Sequence, residues 1–161
     1  PYFAGDIPRQ IFLAELAVGA SRIAVATTHL AFPPAFLRER EIQVRKALDA
    51  VDQFTAQAGM DTIILTGDFN EEPGSPAVQA VLASRHGFLD AYFACHPDDR
   101  GATFTSTNPF VGPGFVPGQR IDFIFATRKL EPVESTLVFN GTAGLEFVSD
   151  HLGVCCVFAL K

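Results

Sequence analysis

The sequence is short of cations. Its 161 residues carry 12 Lys and Arg against 18 Asp and Glu, a net charge of −6. Coating nucleic acid by bulk electrostatics rests on clustered Lys and Arg, so that class is disfavoured. An enzyme that grips one phosphate with a metal ion and a few side chains is not. Long apolar runs are missing too: none reaches the length of a membrane span. The best helical stretch is interrupted by Arg38, Arg40, Arg45 and Lys46 and is therefore amphipathic. No basic-then-apolar signal peptide opens the chain, whose first residue is Pro1, so the N-terminus reads as trimmed or incomplete. Cysteine is scarce. Cys95, Cys155 and Cys156 are odd in number, include an adjacent pair and lack zinc-knuckle spacing. They read as reduced, mostly buried thiols, which leans towards the cytoplasm.

What is present suits one domain with a real core: 48% apolar residues, 16 of them Phe. Gln10–Ala17 and Arg22–Thr28 are strand-like, with a hairpin turn at Gly19-Ala20-Ser21. From Phe36 to Ala58 the period becomes helical, through Val44, Ala47, Leu48, Val51, Phe54 and Ala58, and Gly59 is the stop. Asp61–Thr66 is a short continuous apolar strand. Ser75 and Pro76 read as an N-cap and first helical position of a helix to Ser84. Residues 85–118 look irregular, with a candidate strand at Ala102–Ser106 and a surface loop at Gly112–Gly114 and Pro117-Gly118. Arg120–Ala126 alternates as a strand, Ile121, Phe123 and Phe125 sharing a face. Ser135–Phe139 and Gly153–Leu160 complete an α/β chain in which strands outnumber helices.

Polar residues recur where apolar runs end: Thr28-His29, Gly67-Asp68-Phe69-Asn70, Arg120-Ile121-Asp122 and Ser149-Asp150-His151. Strand ends and loops are where rigid scaffolds place chemistry. Each has a plainer explanation. His29 suits a satisfied core-edge histidine, GDFN an Asx turn, Asp122 a partner for Arg120 or Arg128, and Ser149-Asp150 a turn or N-cap. Together the plainer explanations are less attractive. Asp122 lies among Ile121, Phe123 and Phe125, where an unpartnered carboxylate is costly. His151 is the obvious partner, and an Asp that fixes a histidine tautomer is a known catalytic device. Asp68 and Asn70 suit a water nucleophile and a hard cation held by oxygens, hence Mg²⁺ or Mn²⁺ rather than Zn²⁺. His29 and His151 suit proton transfer or donation near phosphoryl oxygens.

The order THL, GDFN, RIDFIF, SDH resembles the endonuclease/exonuclease/phosphatase (DNase I-like) superfamily over Gln10–Leu160. The segment Asn108–Ala126 is most similar to bacterial sphingomyelinase-like and tyrosyl-DNA-phosphodiesterase-like members. The resemblance implies divalent-metal-dependent hydrolysis of a phosphoester, most readily a phosphodiester, by in-line attack of water. The substrate would be nucleic acid, a lipid head group or a small phosphodiester. Asp68 would align or deprotonate the water, Asn70 and His29 would contact the phosphate, Asp122 would orient His151, and Asp150, with Asp68, would be metal-associated.

The resemblance also implies a four-layer α/β sandwich with a mixed, mainly antiparallel sheet and flanking helices. The family's N-terminal half, with its Asn and its metal-ligating Glu, has no counterpart in PYFAGDIPR. Residues 1–161 therefore read as a single, incomplete domain whose missing half is its partner. An unpaired sheet face would remain as an apolar patch. Glu71 and Glu72 are weak substitutes for the missing ligand, since both are expected in a solvent-facing turn. Calcineurin-like metallophosphoesterases would need D-x-H and G-N-H-E strings that do not occur. The other alternative is a non-catalytic fragment, binding or scaffold domain that retains the fold. Against it, Asp68, Asn70, Asp122 and His151 are all kept.

Overall fold

A computed structural model describes residues 8–116, 118–142, 144 and 146–161. The hairpin forms first along the chain: β1 (Ile11–Val18) and β2 (Ser21–His29) pair antiparallel from Ile11↔Thr28 to Val18↔Ser21. The helical period gives α1 (Leu37–Ala58), closed by Gly59 in the left-handed conformation at φ 63°. Apolar Ile63-Ile64-Leu65 then forms β3 (Ile63–Asp68), parallel to β2 because α1 carries the chain back across the sheet. Ser75 caps α2 (Pro76–Leu82), its hydroxyl accepting from the Val78 amide at 3.3 Å. That helix ends two residues before the expected Ser84.

The stretch 85–118 is not wholly irregular. It contains β4 (Leu89–Asp90) and a five-residue helix, α3 (Ala91–Cys95), capped by the Asp90 carboxylate on the Phe93 amide. The expected strand at 102–106 is reduced to a single bridge, Phe104 to Gln119. The loop around 112–118 is exposed at Gly112–Val116; Pro117 lies outside the described residues. β5 (Asp122–Ala126) pairs antiparallel with β3, and β6 (Leu130–Val138) with β7 (Gly153–Leu160). The result is a mixed five-stranded sheet in the order β1-β2-β3-β5-β4 and a separate two-stranded ribbon, β6-β7.

The two-residue period of the strands sorts side chains onto two faces. On one face Ala24, Ala26, Ile63, Leu65, Phe123 and Phe125 pack with Val44 and Val51 of α1 and Ala77, Val78 and Val81 of α2. Each fully buried Phe or Leu there contributes about 2 kcal/mol by area removed from water. On the other face Ile23, Val25, Ile64 and Ala126 meet Leu130 and Phe158 of the ribbon, a much smaller cluster. That face is only partly covered: Phe12 and Leu16, at 65% and 48% exposure, extend it into solvent. The thiols differ from expectation, since Cys155 is exposed and only Cys95 and Cys156 are partly buried.

Candidate active site

Parallel strands β2 and β3 end side by side, and antiparallel β5 begins beside them. Their register places His29 opposite Asp68 and Asp68 opposite Asp122, so three polar side chains form one row across three strands. The row continues the partly covered face, in line with Ile64 and Ala126. Gly67 makes this close approach possible. At its φ of 148° an added Cβ would fall 1.9 Å from the Thr28 carbonyl oxygen. Beyond the strand, GDFN divides its labour. Phe69 is fully buried, with its ring edge-on to Phe123 and Phe125 at 5.5 and 5.3 Å. Anchored by it, Asn70 turns back at φ 50°, its amide N–H donating to Asp68 Oδ1 at 2.8 Å and its side chain to the Leu30 carbonyl at 3.2 Å. The Asx turn is therefore real, and it is also what aims Asp68.

His151 arrives from the far end of the chain. Its Nδ1 lies 2.8 Å from Asp122 Oδ2 and its Nε2 lies 4.0 Å from Asp68 Oδ2. A carboxylate can only accept, so Nδ1 carries the proton and Nε2 faces Asp68. His29 Nε2 is 3.3 Å from Asp68 Oδ2. Burial, and then the like charge of Asp122, push the Asp68 carboxyl up to about 6, against the Asn70 amide and the positive His151, which lower it. The hydrogen bond that His151 donates to Asp122 outweighs burial and raises His151 above its ordinary value. Asp150 reaches the same cleft but is exposed, hydrogen-bonded to Ser149 Oγ at 3.2 Å. All six expected site residues thus line one cleft of about 890 Å³.

Two expectations about partners change. Arg120 pairs with Asp90, at 2.7 Å, and not with Asp122. Glu71 is buried, with Arg40 Nε 2.6 Å from its Oε1, so it is neither solvent-facing nor free to bind an ion. Arg40, 2% exposed, also donates to the carbonyls of Ala31, Pro33 and Pro34. It straps the loop after His29 to the turn after Asn70. Its burial is not evident from the local sequence because its acceptors lie in other segments. A signal was present nonetheless: Arg40 and Gln43 fall in the same helical row as Val44 and Ala47, and the Gln43 side chain accepts from the Ala31 amide.

Does this donor set suit a cation? The ligand atoms of Asp68, Asp122 and His151 lie within 4.8 Å of one another. Two adjacent carboxylates, with the Asp68 carboxyl raised first by burial and then by the Asp122 charge, form a site short of positive charge. The oxygen-rich donors fit a hard divalent ion. Asp150, expected among the ligands, stands apart from the compact group, while Asp122 joins it.

A sequence profile of the Endonuclease/Exonuclease/phosphatase family matches residues 3–151. The chain belongs to this family. Its fold is shared with solved structures of the same DNase I-like class. Truncated Caenorhabditis elegans TDP2 superposes with a TM-score of 0.74 at 24% identity, over 93% of this chain and 60% of that one. D. rerio TDP2 complexed with single-strand DNA product gives 0.75 at 20% identity, over 94% and 62%. An endonuclease/exonuclease/phosphatase from Beutenbergia cavernae gives 0.68 at 25% identity, over 97% and 40%. The chain therefore spans less than two thirds of the length of each. No match was found among curated protein sequences.

Proposed function

We propose that the cleft hydrolyses a phosphodiester by in-line attack of water. The observation that carries this reading is the convergence of His29, Asp68, Asp122 and His151 on one row at the strand ends, 2.8 to 4.0 Å apart. Asp68, with a carboxyl near 6, is ionised but basic at neutral pH, which suits a group that aligns and deprotonates the nucleophile. Asn70, fixed by Asp68 and Leu30, holds the scissile phosphate in line. His151, oriented by Asp122 and made more basic by that hydrogen bond, donates from Nε2 in its protonated form to a phosphoryl oxygen as charge develops there. His29 offers a second donor on the other side of Asp68. Mg²⁺ or Mn²⁺ held by Asp68 and Asp122, with Asp150 joining directly or through water, would supply Lewis-acid stabilisation of the phosphoryl oxygens.

The walls narrow the substrate. Phe32 and Phe115, both over half exposed, stand on the lips of the cleft with Leu37 and Val116. Among the described lining residues Arg40 is the one Lys or Arg, and Glu71 and three carbonyls occupy it. A single phosphodiester with an apolar or planar substituent suits these walls better than a long run of phosphates. The TDP2 structure with a DNA product keeps a short nucleic-acid end among the candidates. The partly covered sheet face lies on the side of the catalytic row, so activity is assigned to the full-length protein rather than to this chain alone.

The test is turnover of a chromogenic phosphodiester by the full-length protein with and without Mg²⁺. Metal-dependent hydrolysis that Asp68→Asn abolishes, without loss of folding, supports the reading. Turnover indifferent to EDTA, or an unaffected Asp68→Asn variant, overturns it in favour of a scaffold that merely retains the fold.

A further inference from the structure

Asp122 and His151 are 29 residues apart, and their 2.8 Å contact needs a third segment to hold the two strands of chain together. Thr103 occupies that position. It is 0% exposed, and its N–H, its carbonyl and its hydroxyl oxygen are all engaged. Its N–H donates to the Gln119 carbonyl at 2.9 Å. Its hydroxyl oxygen accepts from the amides of both Ile121 and Asp122, at 3.2 and 3.3 Å. Its carbonyl accepts from the Leu152 amide at 2.7 Å. One residue thus fixes the backbone of Asp122 itself and the residue next after His151.

We infer that Thr103 is a positioning residue for the Asp122–His151 pair, and this rests on the reaction proposed above. The physical argument is one of satisfaction. The amides of Ile121 and Asp122 are where β5 begins; the Asp122 side chain faces the cleft, and the Thr103 hydroxyl serves both amides at once. An apolar side chain of the same shape would fill the space but leave two buried donors without a partner, and the backbone would shift to find one. A shift of about 1 Å between reacting groups costs about a hundredfold in rate even when it starts away from the chemistry. The neighbouring segment supports the same placement. Asn108, 2% exposed, donates to the Ser149 carbonyl at 2.8 Å, and the Phe104 ring lies 5.1 Å from the His151 imidazole. Residues 103–108 therefore form a rail on which SDH is seated.

The experiment compares Thr103→Val, which keeps shape and loses the acceptor, with Thr103→Ser, which keeps the acceptor, in the full-length protein. Two readouts are taken. The first is kcat and KM on a chromogenic phosphodiester with Mg²⁺. The second is the downfield proton resonance of the His151 Nδ1–H bonded to Asp122, recorded without substrate or metal and assigned by its loss in Asp122→Ala. Thr103→Val is expected to lower kcat about a hundredfold with KM changed less than about threefold, and to broaden or shift the resonance. Thr103→Ser is expected to retain the resonance and most of kcat. If Thr103→Val does not fold, Thr103→Ala removes the same acceptor with less bulk and takes its place. The inference is overturned if the variant lacking the hydroxyl keeps the resonance, or if Thr103→Ser loses it as well. Should the wild-type protein turn over no phosphodiester, the functional reading fails, while the resonance still decides whether Thr103 places the pair.

Discussion

The two faces of the five-stranded sheet are built from alternate residues of the same strands and have opposite characters. The helical face is closed: Leu65, Phe125, Val51 and Val81 are at most 1% exposed. The other face carries a small cluster around Ile23 and Ala126, exposed Phe12 and Leu16, and the row His29, Asp68, Asp122. The difference teaches where stability and chemistry separate. Leu65 and Thr66 are neighbours in sequence, yet Leu65 belongs to the core and Thr66 points to the face that leads to the polar row. The closed face stabilises the sheet, and the open one is thereby free to hold two carboxylates side by side.

The sharpest way to break this comparison is to mutate one residue on each face. Asp68→Asn should lower kcat of the full-length protein on a phosphodiester by about a thousandfold with folding intact by circular dichroism. A loss of less than tenfold would remove Asp68 from the reaction. Phe125→Ala should do the reverse, costing about 4 kcal/mol in urea unfolding through its cavity. Activity of the variant that remains folded should fall far less than in Asp68→Asn, since Phe125 reaches the site only through its packing on Phe69.

A third experiment uses the Asp68 carboxyl. Its folded value of about 6 lies above the ordinary value of 3.8, so the folded protein binds the extra proton more tightly than the unfolded chain. The carboxylate is therefore a destabilising element. Stability without metal should rise as pH falls from about 6 towards 4, and Asp68→Asn should remove that rise and stabilise the protein at pH 7 by about 3 kcal/mol. Chemical denaturation in EDTA across this range checks the sign. Added Mg²⁺ should stabilise wild type at pH 7 more than it stabilises Asp68→Asn. The smallest effect is expected at the open face. Phe12→Ser in the 161-residue chain should change stability by no more than about 0.5 kcal/mol, because the ring is 65% exposed. A larger loss in the full-length protein than in this chain would show that something upstream covers it.

Much of this was legible beforehand. The strand periods put β2, β3, β5 and β7 within a residue or two of their observed bounds, and α1 within one. The four motifs at their ends were visible because an Asp among Ile and Phe has no inexpensive explanation. What remained hidden was held by partners distant in sequence. Arg40 and Glu71 looked like two separate surface charges, 31 positions apart, until their 2.6 Å contact. Asp90 and Arg120 lie 30 apart and likewise pair. α3 was hidden by its length, since five residues carry too little periodicity to be read.

By itself the sequence determined the elements and the donors: which runs extend, where the long helix stops at Gly59, and which strand ends carry His29, Asp68, Asn70, Asp122 and His151. These follow from the local period of apolar residues and from the backbone freedom of glycine, both of which act over a few residues. Only the tertiary structure decided which donors meet, which charges are cancelled underneath them, and that Thr103 binds the amides of both Asp122 and Leu152. Those outcomes depend on strand register and on buried hydrogen bonds between segments tens of residues apart, where each polar group must find whichever partner the packed chain brings within about 3 Å.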